Sequence, residues 1–184
     1  MFFTLKYISV FLRLLHQIRD ISDFELIPGV AEAIRKINAS GCLTIVVTNQ
    51  PVVARGEVSF EELREIHNKM ETLLGLEGAY QDGIYFCPHH PHSGYAEEIK
   101  ELIFDCDCRK PKPGMLLKAA EDFNIDLSKS WIVGDGESDI KAGTAAGCRT
   151  VLYVGEGSEC RRDEDFGLMK VVETLGEFAD FIGD

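Results

Sequence analysis

A parallel α/β sheet with helices on both faces is the fold class the sequence predicts, and two patterns predict it. From residue 24 onward, short β-branched apolar runs alternate with stretches of helical periodicity. Such an order lays strands side by side in parallel, with helices as the crossovers. Polar clusters then come directly after the apolar runs, where sheets of this kind gather their chemistry, beyond the carboxyl ends of the strands.

The elements come in order along the chain. "VAEAIRKINAS" places Val30, Ile34 and Ile37 on one helical face, and "CLTIVV" (42–47) has the length and branching of a buried strand. Ser59 and Glu62 form a capping box that opens the helix "FEELREIHNKMETLLG", and "GIYF" (83–86) is the next strand. Pro113 suits the first turn of "GMLLKAAEDF". "WIVG" (131–134) is a strand, "SDIKAGTAAG" a helix closed by Gly147, and "RTVLYV" a further strand. Three strand ends carry polar clusters: "TNQ" after Val47, "CPHH" after Phe86 and "GDGESD" after Val133. There is no internal repeat, low-complexity tract or linker, so residues 1–184 are expected to form one domain.

Acidic residues outnumber basic ones 31 to 19, for a net charge of -12. That field repels a phosphate backbone, so nucleic acid is not an expected partner. Against it, the cluster Arg109-Lys110-Lys112 stands out. The opening "MFFTLKYISVFLRLLHQIRD" is apolar, but Lys6 and Arg13 interrupt it and no small-residue cleavage pattern follows. No stretch approaches the roughly 20 apolar residues of a membrane span. A cytoplasmic, monomeric protein is expected.

The six cysteines lack the spacing of a secreted disulfide scaffold. Two of the pairings they allow have metal-ligand character. Cys87 and His89 are spaced C-x-H, and Cys106 and Cys108 C-x-C, so each extended pair presents two ligands to one side. Together they suit a closed, tetrahedral, structural zinc site. The metal would close a loop over residues 87–108 that has little other means of order. His90 and His92 are alternatives to His89, Cys42 and Cys148 read as small buried hydrophobes, and Cys160 lies in a polar loop.

A second constellation is phosphate-like. Thr48-Asn49 at a strand end, Lys110 in a later loop, and Asp135 in "GDGESD" form an ordered set. A hydroxyl can bind a phosphoryl oxygen, a lysine can neutralise its charge, and a strand-end aspartate can hold magnesium. Each piece alone has a plainer reading: turn former, solvated cation, helix cap.

With these residues in place, the chain resembles the haloacid dehalogenase superfamily of phosphatases. "IPGV", "VVTNQ", "ARG", "CPHHP", "CDCRKPKPGM" and "VGDGESD" are similar to its D-glycero-D-manno-heptose 1,7-bisphosphate phosphatase branch, over roughly residues 20–155. Histidinol-phosphate phosphatases share the pattern. The resemblance implies a Rossmann-like fold, with zinc on Cys87, His89, Cys106 and Cys108 pinning the loop so that Arg109 and Lys110 project into the site. It implies that Thr48 contacts the transferring phosphoryl, Lys110 stabilises its charge, Arg109 reads the substrate, Asn49 and Arg55 lie nearby, and Asp135 binds Mg²⁺. Asp139 is open to three readings: supporting carboxylate, cap or solvated acid. The substrate would be a phosphorylated sugar or similar phosphomonoester, hydrolysed through an aspartyl-phosphate.

Two departures stand against that pattern. Residues 1–19 are atypical and contain no D-x-D-G-T, the family's nucleophile and general acid/base. Family spacing puts the first aspartate near residue 6, in "TLKYISV"; alternatively "YISVFL" is the first strand, and Arg13–Asp23 is too short for the usual loop. Asp20 and Asp23 are the nearest acids. In "TNQPVVARG", Pro51 and Val52 replace serine and glycine, and valine tolerates positive φ poorly, which predicts a different loop path. A phosphatase-type chain with impaired turnover is therefore the leading expectation, against a non-catalytic zinc-stabilised anion-binding or scaffold domain, and a histidinol-phosphate phosphatase. A zinc-ribbon nucleic-acid binder is disfavoured by the charge.

Overall fold

The computed structural model describes residues 19–155, 158 and 170–182, with 9–12 and 183 described by backbone alone. Among them, six parallel strands form one sheet in the order β3-β2-β1-β4-β5-β6. These are β1 (Ser9–Leu12), β2 (Leu43–Asn49), β3 (Gly83–Cys87), β4 (Trp131–Gly134), β5 (Arg149–Tyr153) and β6 (Lys170–Val172). The helices are α1 (Val30–Ala39), α2 (Phe60–Leu76), α3 (Gly114–Phe123), α4 (Glu137–Ala146) and α5 (Leu175–Gly183). Strand order reverses between β1 and β4, so a crevice opens beyond their carboxyl ends.

Side-chain alternation along the strands decides which helices cover which face. On β2 and β4, Val46, Trp131 and Val133 pack with Ile34 and Ile37 of α1, Ile66, Met70 and Leu74 of α2, and Phe178 of α5. Ile45, Val47 and Ile132 point the other way, to Met115, Leu116 and Ala119 of α3 and Ala142 of α4. Ile34 and Ile37 are completely buried, each contributing roughly 1.5–3 kcal/mol of transfer free energy. A polar tie supplements the apolar face: the Thr44 amide donates to Asp82 at 2.7 Å, and Asn38 donates to the Thr44 hydroxyl at 3.1 Å.

The local signals act as written in the sequence. Ser59 and Glu62 make the reciprocal capping box of α2, and Gly147 ends α4 in the left-handed region with φ 83°. Several boundaries differ from expectation. β2 starts after Cys42 and runs two residues past Val47, because Thr48 and Asn49 pair with Phe86 and Cys87 of β3. Thr48 and Asn49 are therefore strand residues rather than loop residues. Pro113 occupies the N-cap position of α3, one residue ahead of the first turn. β6 and α5 lie beyond the elements anticipated from sequence; Leu175, Phe178 and Ala179 of α5 are buried against α1 and the sheet. The expected conflict at Val52 does not arise. Among the described residues Asn124 is the one non-glycine with positive φ, and Val52 instead buries completely beside Val53, Val58 and Leu63.

Candidate functional site

β1 ends at Leu12, level with Val46 of β2 and Val133 of β4. This is the second of the two N-terminal readings: β1 takes the last four residues of "YISVFL". The next two residues in sequence are Arg13 and Leu14, neither of them a carboxylate, and their placement lies outside the described residues. Of the nearest acids, Asp20 is spent on a local turn: its carboxylate accepts from the Ser22 amide at 2.7 Å and the Ser22 hydroxyl at 2.6 Å. Those bonds hold its pKa below the usual value.

Beyond β2 and β4 the arrangement is tightly made. Lys110 Nζ pairs with Asp139 Oδ1 at 2.5 Å, with the two side chains 2% and 1% exposed. The same ammonium donates to the Val47 carbonyl at 2.8 Å. A buried charge without a partner is expensive, so ammonium and carboxylate hold each other in place. Asp139 also accepts from the Gly136 amide at 3.2 Å, which caps α4. Its packing explains Gly134, where a Cβ would lie 2.2 Å from that of Asp139. Two of the readings open for Asp139, cap and supporting carboxylate, thus coincide, and solvation is ruled out by its burial.

Asn49 fixes the lysine from the backbone side. Its Oδ1 accepts from the Lys110 amide at 3.0 Å and its Nδ2 donates to the Lys110 carbonyl at 3.1 Å. Thr48 is fully buried, and its hydroxyl accepts from Gln50 Nε2 at 3.1 Å. Asp135 directly follows β4 and is 7% exposed; its carbonyl accepts from Ser158 Oγ at 3.4 Å.

The cysteine-histidine set comes together. The ligand atoms of Cys87, His89, Cys106 and Cys108 all lie within 4.8 Å of one another. Cys87 Sγ is 3.5 Å from Cys106 Sγ and 3.6 Å from His89 Nδ1; Cys108 Sγ is 3.2 Å from His89 Nδ1 and 3.3 Å from Cys106 Sγ. A tetrahedron of sulfur and nitrogen about 2.0–2.3 Å from zinc has edges of roughly 3.5–3.8 Å, so the donor set fits that metal. Burial, followed by the neighbouring Cys108 thiol, pushes the Cys87 thiol far up, and burial lowers His89 below the usual imidazole value. His90 and His92 turn elsewhere: His90 Nδ1 meets the His92 carbonyl at 2.7 Å. Phe104 lies against His89, with ring centroids 4.4 Å apart.

This loop is keyed to the segment after β2. Gln50 N donates to the Cys87 carbonyl at 2.7 Å, Ala54 N to Pro88 at 3.2 Å, and Ile99 N to Ala54 at 2.9 Å. Gly56, at φ 73°, passes so close that a Cβ there would stand 1.9 Å from the Glu97 carbonyl oxygen. Arg109 Nη1 donates to the His89 carbonyl at 3.2 Å. Arg55, 13% exposed, donates to the Pro51 carbonyl at 3.4 Å and lies 3.8 Å from Glu57. Magnesium fits the described residues poorly. Asp139 is committed to Lys110, which leaves Asp135 as the carboxylate a cation would meet at the strand ends.

Comparison with known proteins decides the family. A protein from Pasteurella multocida, D-glycero-β-D-manno-heptose-1,7-bisphosphate 7-phosphatase, is 37% identical over 165 residues, covering 90% of this chain and 87% of its own. The chain belongs to the heptose-bisphosphate phosphatase family. The Vibrio cholerae phosphatase of the same name is 41% identical over 140 residues, covering 76% of this chain and 73% of its own. The HAD-hydrolase-like family model matches residues 107–178. Among solved structures, the D,D-heptose 1,7-bisphosphate phosphatase of B. bronchiseptica, complexed with magnesium and phosphate, superposes with a TM-score of 0.78 at 28% identity, covering 96% of this chain and 97% of its own. The enzyme from Burkholderia thailandensis gives 0.68 at 26% identity, covering 97% and 99%. The haloacid dehalogenase-like parallel α/β fold expected from sequence is the fold of these heptose-bisphosphate phosphatases.

The sequence left one functional contact of this site open, the Lys110–Asp139 pair. Its signal was the spacing of Asp135 and Asp139, four residues apart across a helix start, which sends one carboxylate to the strand end and the other beneath the lysine. The ties between the segment after β2 and the loop 87–108 had no such signal, because they are made mostly by backbone groups.

Proposed function

We propose that the chain is a phosphosugar-recognising member of its family, built for a bisphosphate such as D-glycero-D-manno-heptose 1,7-bisphosphate, and that hydrolysis is lost in the polypeptide as it stands. The observation that carries this reading is the buried Lys110 ammonium, fixed by Asp139, Val47 and Asn49 beside the ends of β2 and β4. It supplies positive charge, oriented without reorganisation, where a phosphoryl group would sit. Thr48 is the hydroxyl nearest that position in the strand, and Arg109 and Arg55 are the guanidiniums that would read the remaining anionic group. Residues 1–184 act as one domain, with 87–108 as the zinc loop.

Zinc would be held by Cys87, His89, Cys106 and Cys108. All four positions are protein ligands, so the metal's contribution is structural: it closes the loop that carries Arg109 and Lys110. Asp135 is the residue toward magnesium. One carboxylate does not make the usual clamp for that cation. What the chain's own residues do is bind and orient a phosphomonoester and shield its charge. The nucleophilic carboxylate belongs at the end of β1, where the sequence continues Arg13-Leu14.

That absence favours a second reading, a non-catalytic anion-binding domain. Titration of heptose 1,7-bisphosphate into the zinc-loaded chain, with phosphate release monitored in parallel, tests both. Saturable binding without turnover is expected. Brisk Mg²⁺-dependent turnover, or no binding at all, would overturn the proposal. No helix among the described residues is long and apolar enough to cross a membrane. Three zinc thiolates suit a reducing cytoplasm, and a monomer is proposed.

A further inference from the structure

We infer that Tyr95 is a positioning residue for Arg55, and that it couples the zinc loop to anion recognition. The inference rests on the reading of the site as one for a phosphorylated sugar. Arg55 Cζ lies 5.4 Å from the centroid of the Tyr95 ring, within cation–π range. The ring is itself anchored on two sides. Its backbone amide and that of Gly94 both donate to Glu98 Oε2, at 3.2 and 2.7 Å. Its hydroxyl meets His90 Nε2 at 3.3 Å, and the two rings stand edge to face at 5.1 Å.

His90 holds its own place in the loop: its Nδ1 lies 2.7 Å from the His92 carbonyl and 3.1 Å from the His92 amide, and its Nε2 meets the Tyr95 hydroxyl. A chain of contacts therefore runs from the zinc loop through His90 and Tyr95 to the guanidinium. On its far side Arg55 is held by the Pro51 carbonyl.

An arginine has several rotatable bonds to freeze before it can grip an anion in a two-pronged fashion. A flat ring beneath the guanidinium removes much of that cost in advance, so less is lost on binding. The same ring belongs to the segment that zinc closes. Whatever loosens the loop also withdraws the platform. A plain packing role for Tyr95 predicts a different pattern, in which loss of the ring unsettles the loop without any dependence on Arg55.

The test uses the full zinc-loaded chain, at equal zinc content, titrated with heptose 1,7-bisphosphate as wild type, Tyr95→Ala, Tyr95→Phe, Arg55→Ala and the double Arg55→Ala/Tyr95→Ala variant. Tyr95→Ala and Arg55→Ala are each expected to weaken binding about tenfold, and the double variant no further, because the tyrosine acts through the arginine. Tyr95→Phe keeps the platform and stays within about threefold of wild type. Wild-type affinity in Tyr95→Ala, or a loss of about a hundredfold in the double variant, overturns the inference. If the wild-type chain binds no bisphosphate, it is the sugar-phosphate reading that falls. Solvent exchange of the Arg55 Nε–H proton, measured by NMR, then decides the role of Tyr95. Exchange at least tenfold faster in Tyr95→Ala, and unchanged in Tyr95→Phe, upholds the platform; unchanged exchange in both overturns it.

Discussion

β1 and β4 run side by side at the centre of the sheet, paired from Val10–Trp131 to Leu12–Val133, and they differ in the residues past their carboxyl ends. β4 ends on Gly134, the chain turns through Asp135 and Gly136 into α4, and every one of these serves the site or its support. Beyond β1 the sequence offers Arg13 and Leu14. The ladder is indifferent to the contrast, because it is made of backbone groups. Scaffold and chemistry are thus separately written: a strand keeps its place by pairing, while its reactivity depends on one or two side chains past its end.

The largest effect should come from repairing the poorer end. Replacing the residues before Asp20 with a strand followed by D-R-D-G-T and a family-length loop is expected to raise Mg²⁺-dependent phosphate release by roughly a thousandfold or more, the scale on which catalytic groups acting as a unit are lost. Steady-state hydrolysis of heptose 1,7-bisphosphate measures it. Robust turnover by the unmodified chain, abolished by Asp20→Asn or Asp23→Asn, would show that the nucleophile lies elsewhere.

The richer end can be broken in turn. Cys106→Ser removes one of the four proposed zinc ligands, and zinc content by mass spectrometry of the native protein should fall from one per chain to well below it, with a lowered melting temperature. Zinc affinity should drop by about a hundredfold or more. Unchanged zinc content and melting would remove the metal from the account.

Next comes the contrast between two lysines of one loop. Lys110→Ala leaves Asp139 charged and buried, and should cost roughly 3–5 kcal/mol in denaturant unfolding as well as vanadate binding. Lys112 bridges Asp105 at 2.7 Å with its side chain 39% exposed, so Lys112→Ala should leave stability close to that of the wild type. Equal effects would sink the assignment of Lys110 to the site.

The smallest effect separates both ends from the core between them. His67 of α2 is buried against Phe86, ring centroids 5.5 Å apart, and desolvation lowers its pKa from 6.5 to about 4. The folded state therefore holds a neutral imidazole where the unfolded chain is protonated below about pH 6.5. Stability from this group is present above pH 6.5 and declines as pH falls toward 4, by about 2 kcal/mol at pH 4.5. Urea unfolding across that range should show the slope, and His67→Phe should flatten it.

Much of this was legible in the sequence, for identifiable reasons. Apolar runs and caps set the strands and helices, since burial and capping act within a few residues. The cysteine pairs announced a cluster of metal-ligand type because ligand spacing is itself local. The Lys110–Asp139 pair was only half legible, since it joins residues from two loops that meet through the sheet. Thr48 and Asn49 extend β2 past its apolar run because their partner is β3, some 38 residues on, and no local signal carries that pairing. α5 carries apolar residues at helical spacing, Leu175, Phe178 and Ala179, but what makes them a core face is their docking on α1, which is remote in sequence.

The two-armed grip of Asn49 on the backbone of Lys110 has a further consequence. A side-chain amide there imitates the edge of a neighbouring strand, so the lysine is received by the sheet as if it were one more rung. Its position is then set by that rung and not by the length of the path leading to it. The stretch between His90 and Asp105 is keyed separately, by the Ile99 amide to Ala54 and by Glu97 against Gly56, so that changes of side chain along it need not move the lysine. Lineages could vary what the loop reaches for while the ammonium stays where it is.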